Sequence, residues 1–204
     1  SAFLATADLT TLPDTLQVID TAVSEGAFTH NVWTTADGHY AYTTDEVSGG
    51  HLTIFDISDP ANVVQVGAYI NDRDPSSIVH NVFLEGDLAY VAWYKAGLEI
   101  LDLTDPVRPI RVGYYDTFPG SGSGFDGAWG AYPFAESGHI YVSDMSTGLY
   151  VLEFTANYGF LEGVVTDLDT GLPLAGASVQ AVVPGLGETR CSVDRRRRGD
   201  LQMW

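Results

Sequence analysis

The feature that most constrains this chain of 204 residues is an internal repeat. The sequence His-Asn-Val-Trp at residues 30–33 recurs as His-Asn-Val-Phe at residues 80–83. Farther along each copy, Asp-Ile-Ser-Asp-Pro at residues 56–60 recurs as Asp-Leu-Thr-Asp-Pro at residues 102–106. Repeats of this length are typical of supersecondary units that stack on copies of themselves. A third copy begins at Ala128 and carries tryptophan where the first two carry histidine.

Each copy contains four short apolar runs separated by turn-forming residues. In the second copy these runs predict strands over residues 77–84, 89–93, 98–103 and 110–115. Four antiparallel strands in every 40 to 50 residues are typical of a β-propeller blade. A β-sandwich is the alternative, because it also uses short strands. It would not require the same residues at the same strand positions in successive units.

The predicted fold class is all-β. Residues 1–156 are expected to form an incomplete β-propeller of about three four-stranded blades, since closed propellers have about four to eight. More blades are therefore expected before Ser1 in a longer parent protein. Residues 157–190 are predicted to be a partial small β-sandwich, and residues 191–204 an irregular basic tail.

Charge excludes some partners. The net charge is −18, and five of the nine basic residues lie in the last fifteen positions, so residues 1–189 carry 25 acidic side chains and four basic ones. Such a surface repels phosphate backbones, so nucleic acid is not an expected partner. No apolar stretch approaches the roughly 18 residues of a membrane-spanning helix, and no membrane span is predicted in this chain. Cys191 is the sole cysteine, which rules out a disulfide framework within the chain.

The motifs at residues 52–60 and 98–106 resemble the LVIVD repeat. With residues 30–46 and 119–134, they make the segment from about residue 16 to residue 154 similar to the choice-of-anchor B family of bacterial surface proteins. The resemblance implies a secreted or cell-surface propeller whose anchoring device varies among the members of the family. This chain shows no signal or anchor segment, so either these lie outside it or the protein has none. The resemblance implies no agreed biochemical activity, and we expect a non-catalytic protein that binds or adheres to an unknown protein or carbohydrate.

A second resemblance begins at Gly159. Residues 159–183 are similar to the carboxypeptidase regulatory-like domain, a small β-sandwich that is non-catalytic in the proteins that carry it. The later strand of that domain is replaced here by the arginine-rich residues 191–204, which suggests a shifted reading frame or the end of a gene fragment.

The repeat also locates the candidate binding residues. We predict that equivalent residues begin the first strand of each blade, namely His30, His80 and Trp129. A second equivalent set, which lies on the second strand, contains Asp45, Trp93 and Asp144, because equivalent motifs must face equivalent ways. Flat aromatic rings among them could stack on a sugar or anchor a protein, although packing between blades uses the same residue types. The candidates are His30, His80, Trp129, Trp33, Trp93, Asp45 and Asp144.

A metal-dependent enzyme is the alternative function. Its ligands would be His30 and His80 with the carboxylates of Asp45 and Glu46, since imidazole and carboxylate suit Zn, Mn or Fe. The competing interpretation is that the histidines only cap backbone groups. Without Gly-x-Ser-x-Gly or an activated cysteine, nothing indicates a nucleophilic enzyme, and no cofactor other than a divalent cation is considered.

The repeated Asp-Pro motifs allow two interpretations. Their carboxylate and carbonyl oxygens could coordinate calcium. Local bonds from Asp, Ser and Thr side chains to the backbone would instead make them ordinary β-turns. We favour the turn, since no Asp-x-Asp-x-Asp-Gly loop is present.

Overall fold

A computed structural model describes residues 3–10, 17–156, 161–164, 166–172 and 200–203. Within these ranges the chain forms antiparallel β-sheets and no helix, which confirms the all-β class. The chain divides into two compact units, Ser1–Phe154 and Thr155–Trp204. The described part of the chain contains no helix with the length and apolar character that crossing a membrane requires.

The first unit begins with a hairpin of β1 (Leu4–Asp8) and β2 (Gln17–Ala22). Three meanders follow, in each of which consecutive strands pair with one another. The first contains β3 (Thr29–Thr34), β4 (Tyr40–Asp45), β5 (Leu52–Asp56) and β6 (Val64–Tyr69). The second contains β7 (Asn81–Glu85), β8 (Leu88–Ala92), β9 (Leu98–Asp102) and β10 (Ile110–Tyr115). The third contains β11 (Ala128–Tyr132), β12 (Ile140–Asp144) and β13 (Gly148–Leu152).

These meanders match the repeat. The first two have four strands each, as predicted, and the third has three among the described residues. One boundary in the second copy differs by more than one residue, because β7 begins at Asn81 and not at residue 77. The residues before it cross to the preceding meander, where Ile78 makes an isolated antiparallel bridge with Ser48.

The second meander is buried on both faces. On β8, Ala89 and Val91 belong to the core shared with the first meander, whereas Tyr90 and Ala92 belong to the core shared with the third. Successive side chains of a strand point to opposite faces, so this alternation places the sheet between its two neighbours. Two-sided burial explains why the apolar runs of the second copy are nearly continuous.

The Asp-Pro segments form turns stabilised by local hydrogen bonds. The Asp56 carboxylate accepts bonds from the amide of Ser58 at 2.9 Å and from its hydroxyl at 2.6 Å. In the second copy, Asp102 accepts the amide of Thr104 at 2.8 Å. The carboxylates are thus used by the backbone that follows them, as predicted for a turn.

The second unit contains one described hairpin, in which β14 (Leu161–Val164) pairs with β15 (Asp200–Met203). The prediction of an irregular tail is therefore wrong for residues 200–203, because pairing with β14 provides backbone partners that local sequence does not reveal. The predicted Asp-x-x-Thr-Gly turn is present: Asp167 accepts the Thr170 amide at 2.8 Å. The rest of the predicted sandwich, including residues 173–190, and the tail around Cys191 lie outside the described residues.

Within the second meander, Glu99 is a fully buried carboxyl. Arg73 approaches it at 3.0 Å and Arg111 at 3.5 Å, and the Asn71 amide donates to it at 3.1 Å. Burial outweighs these cations and raises the pKa of Glu99 from 4.5 to about 6. The carboxyl group of Glu99 therefore binds its proton more tightly in the folded protein than in the unfolded protein. The resulting stabilisation is complete below pH 4.5 and is lost as the pH rises through about 6.

We expect Glu99→Gln to remove this pH dependence. The free energy of unfolding of the wild type, minus that of the variant, should fall by about 2 kcal/mol between pH 4 and pH 7, given about 1.4 kcal/mol for each unit of pKa. Urea unfolding of both proteins at several pH values measures this difference. The contributions of groups that titrate in both proteins cancel in the subtraction. Parallel curves for the two proteins would show that Glu99 does not titrate in this window.

Candidate functional site

The first strands of the three meanders lie side by side and bring together residues that are far apart in sequence. Asn31 on β3 accepts the backbone amide of Val82 on β7 at 2.9 Å. Asn81 on β7 donates to the carbonyl of Trp129 on β11 at 3.0 Å. The asparagine that follows each histidine of the repeat thus joins adjacent first strands.

Strand register confirms that His30, His80 and Trp129 are equivalent. Asn31 pairs with Thr44, Asn81 with Ala92 and Gly130 with Ser143. His30, His80 and Trp129 each come directly before one of these first-strand residues, so they occupy the same position in their meanders. His30 and Trp129 both lie at a register shift that inserts one extra residue into the first strand. His80 immediately precedes β7. Such bulges redirect side chains out of the regular alternation.

The residues of the second-strand set, Asp45, Trp93 and Asp144, stabilise the fold. Asp45 is buried, and its carboxylate accepts bonds from the Ser24 hydroxyl, from the Gly26 amide at 3.2 Å and from the Thr53 hydroxyl at 3.3 Å. Asp144 accepts the Thr117 hydroxyl at 2.6 Å. Both aspartates therefore anchor the loops that lead into β3 and β11. Trp93, at the equivalent place in the second meander, is 1% exposed and packs in the core against Tyr69. It presents no surface to a ligand.

Glu46, one residue beyond β4, contacts both histidines. Its two carboxylate oxygens lie 3.1 Å from Nδ1 of His30 and 3.6 Å from Nε2 of His80. The two imidazole rings stack with their centroids 4.6 Å apart. Of the four metal ligands proposed from the sequence, these three lie within 4.8 Å of one another, whereas Asp45 is not a member of the group. We call His30, Glu46 and His80 the His-Glu-His cluster.

Tyr94 completes the polar side of this cluster. Its hydroxyl donates to Glu46 at 2.6 Å, and its ring lies 4.7 Å from that of His80. The backbone of Tyr94 has φ of 32°, an uncommon conformation for a residue other than glycine. This hydrogen bond was not anticipated from the sequence, because it joins residues 48 positions apart in different meanders.

An aromatic surface borders the cluster. Trp129 is 47% exposed, and its ring lies 4.3 Å from that of His80. Farther along β3, the ring of Trp33 stacks on that of Phe134 at 5.6 Å and meets that of Phe83 edge to face at 5.3 Å. Of the candidate aromatic residues, Trp129 is therefore exposed, Trp33 is half-buried and Trp93 is buried.

The meanders that carry these residues match a known repeat. A family model described as the LVIVD repeat matches residues 29–71 and 77–117. The chain contains two LVIVD repeats. They correspond to strands β3–β6 and β7–β10. No curated protein and no solved structure matched the chain.

Each LVIVD repeat contributes one histidine to the cluster, and the third meander contributes the carbonyl of Trp129 that contacts Nδ1 of His80. Burial lowers the pKa of His80, and this effect outweighs the opposing influence of the Trp129 carbonyl. The site therefore offers a neutral imidazole beside a carboxylate, with an exposed indole at its edge. Such a site can stack on a flat ligand or hold a cation.

Proposed function

We propose that this chain is part of a β-propeller that binds a ligand outside the cell and does not catalyse a reaction. The meanders of the LVIVD repeats are its blades in this proposal. Support comes from the order of packing, since the second meander is covered on its faces by the first and third. Adjacent first strands β3, β7 and β11 would then line the inner side of the arc.

The observation that carries the binding function is the exposed ring of Trp129 beside the His-Glu-His cluster. A solvent-exposed tryptophan next to polar groups supplies apolar contact area at a small entropic cost. The neighbouring carboxylate and imidazoles would supply hydrogen bonds. A carbohydrate or a protein loop offers the matching surface, and a sugar ring stacked on Trp129 fits this arrangement best.

We expect Trp129→Ala to weaken ligand binding strongly while the protein remains folded. Labelled protein is applied to an array of glycans, and the retained signal of the variant should fall at least about tenfold, as for a central aromatic contact. Tyr115→Ala is the matched control, because Tyr115 is 45% exposed and lies at the end of β10. Equal losses for the two variants, or retention of Trp129→Ala at the wild-type level, would remove Trp129 from the binding site.

Extracellular location is part of the same proposal. It is supported by the resemblance to surface proteins and by an acidic composition that disfavours nucleic acid. Fractionation of cells that produce the full-length protein tests it directly. Recovery in the medium or on the surface is expected, whereas recovery in the cytoplasm would contradict the proposal.

A further inference from the structure

The His-Glu-His cluster has an arrangement of polar atoms that hydrogen bonding within the protein does not satisfy. His80 is 1% exposed, and its Nδ1 lies against the carbonyl oxygen of Trp129. A carbonyl can only accept a hydrogen bond, so Nδ1 carries the proton in this contact. The amide nitrogen of Asn81 lies 2.9 Å from the same Nδ1 and donates to the same carbonyl at 3.0 Å, so both nitrogens act as donors to this oxygen. With the proton on Nδ1, Nε2 of His80 presents a lone pair.

That lone pair points to a carboxylate. Nε2 of His80 is buried without a hydrogen-bond partner, and an oxygen of Glu46 lies 3.6 Å from it. Two acceptors face each other, a costly arrangement in a buried place. The hydroxyl of Tyr94 already donates to that oxygen, so it does not bridge the pair. A proton or a metal cation between Nε2 and Glu46 would remove the conflict.

A proton between Nε2 of His80 and Glu46 would satisfy only these two atoms and would leave His30 without a role. A cation is favoured by the second histidine, since Nδ1 of His30 lies 3.1 Å from the other oxygen of Glu46. Four-coordinate zinc with bonds of about 2.1 Å holds its ligand atoms about 3.4 Å apart. The observed separations of 3.1 and 3.6 Å, which run to the two different oxygens of Glu46, lie on either side of this value, and one ligand atom from each of the three residues lies within 4.8 Å of the others.

We propose that His30, Glu46 and His80 form a binding site for a divalent transition metal, with Zn²⁺ as the preferred ion. Two imidazoles and one carboxylate are a ligand set that zinc accepts, and three protein ligands leave a fourth position open. His30 is partly exposed, so that position is reached from solvent. The Trp129 carbonyl orients His80 as the outer partners of metal-bound histidines do, and Tyr94 does the same for Glu46.

The proposal does not depend on glycan binding. The experiment is a zinc titration of the metal-stripped full chain by calorimetry, with native mass spectrometry for stoichiometry. The Cys191→Ser background removes the only thiol. We expect one zinc ion for each chain and no comparable binding of Ca²⁺, which prefers oxygen ligands. Co²⁺ in place of zinc should give visible absorption typical of nitrogen and oxygen ligation.

Variants decide whether the ion lies in this cluster. His80→Gln and Glu46→Gln should each weaken zinc binding by more than about tenfold. His39→Gln is the matched control, because His39 also lies beside a carboxylate, 3.3 Å from Asp37, but on an exposed turn.

His30→Gln provides a second test, because its more exposed ring makes misfolding a weaker explanation than for buried His80. Circular dichroism verifies folding of each variant before titration. Zinc affinity that is equal in the wild type, His30→Gln and Glu46→Gln would overturn the proposal. The absence of a one-to-one zinc complex in the wild type would overturn it as well.

Discussion

Replacing Gly127 with alanine is expected to lower the free energy of unfolding by more than about 3 kcal/mol, since it combines backbone strain with steric overlap. Gly127 has φ of 99°, a conformation that residues with a side chain rarely adopt. A Cβ atom there would lie 2.3 Å from the carbonyl oxygen of Tyr94. That oxygen accepts the amide of Ala128, so the two backbones cannot separate without breaking this bond.

The matched control is Gly138→Ala. Gly138 also has positive φ, 74°, but a Cβ atom there meets nothing within 4 Å. Gly138→Ala should lower the free energy of unfolding by about 1–2 kcal/mol, because only the positive φ opposes the new side chain. Urea unfolding of both variants measures the difference. Similar losses for Gly127→Ala and Gly138→Ala would mean that close approach to Tyr94 contributes little.

The same substitution connects stability to the site. A Cβ atom at residue 127 would push on the backbone of Tyr94. The side chain of Tyr94 would move with that backbone, and its hydroxyl donates to Glu46. We therefore expect Gly127→Ala to weaken zinc binding as well, whereas Gly138→Ala leaves it unchanged.

Replacing Trp93 with alanine is expected to cost about 3–5 kcal/mol, the usual range for removing a large aromatic side chain from a core. Trp93 is among the largest fully buried side chains and lies between the first and second meanders. Its indole nitrogen has no hydrogen-bond partner in the described structure, so the cost comes from lost packing. Trp93→Phe keeps a ring in place and should lose less.

Trp129→Ala is the control for exposure. Because Trp129 is 47% exposed, its removal should change the free energy of unfolding by less than about 1 kcal/mol. Chemical unfolding of the three variants compares them directly. Equal costs for Trp93→Ala and Trp129→Ala would contradict the assignment of one tryptophan to the core and the other to the surface.

Local sequence patterns are sufficient to predict the strands. Alternation of side chains, Gly and Asp-Pro turns and a repeated motif act over a few residues, so β8, β9 and β10 are predicted nearly to their ends. The equivalence of His30, His80 and Trp129 is predictable for the same reason, because repeated motifs must keep the same register. The largest boundary error in the second copy, at the start of β7, arises where Ile78 pairs with another meander.

Local sequence patterns do not predict which residues belong to the candidate site. Asp45 and Glu46 are adjacent acids of similar chemistry, and the sequence offers both as ligands. In the fold, Asp45 accepts hydrogen bonds from the loop before β3, whereas Glu46 meets both histidines. Neighbouring side chains in and just beyond a strand point in different directions, and only the surrounding chain determines what each one meets.

By itself, the sequence determined the repeat, the all-β class and the residue types at equivalent positions, because each depends on neighbours along the chain. Only the tertiary structure decided that Trp93 is buried and Trp129 exposed. It also decided that His30 and His80, 50 residues apart, stack at 4.6 Å. Both outcomes depend on how one sheet packs against the next, since burial and contact between distant residues arise from that packing and not from local alternation.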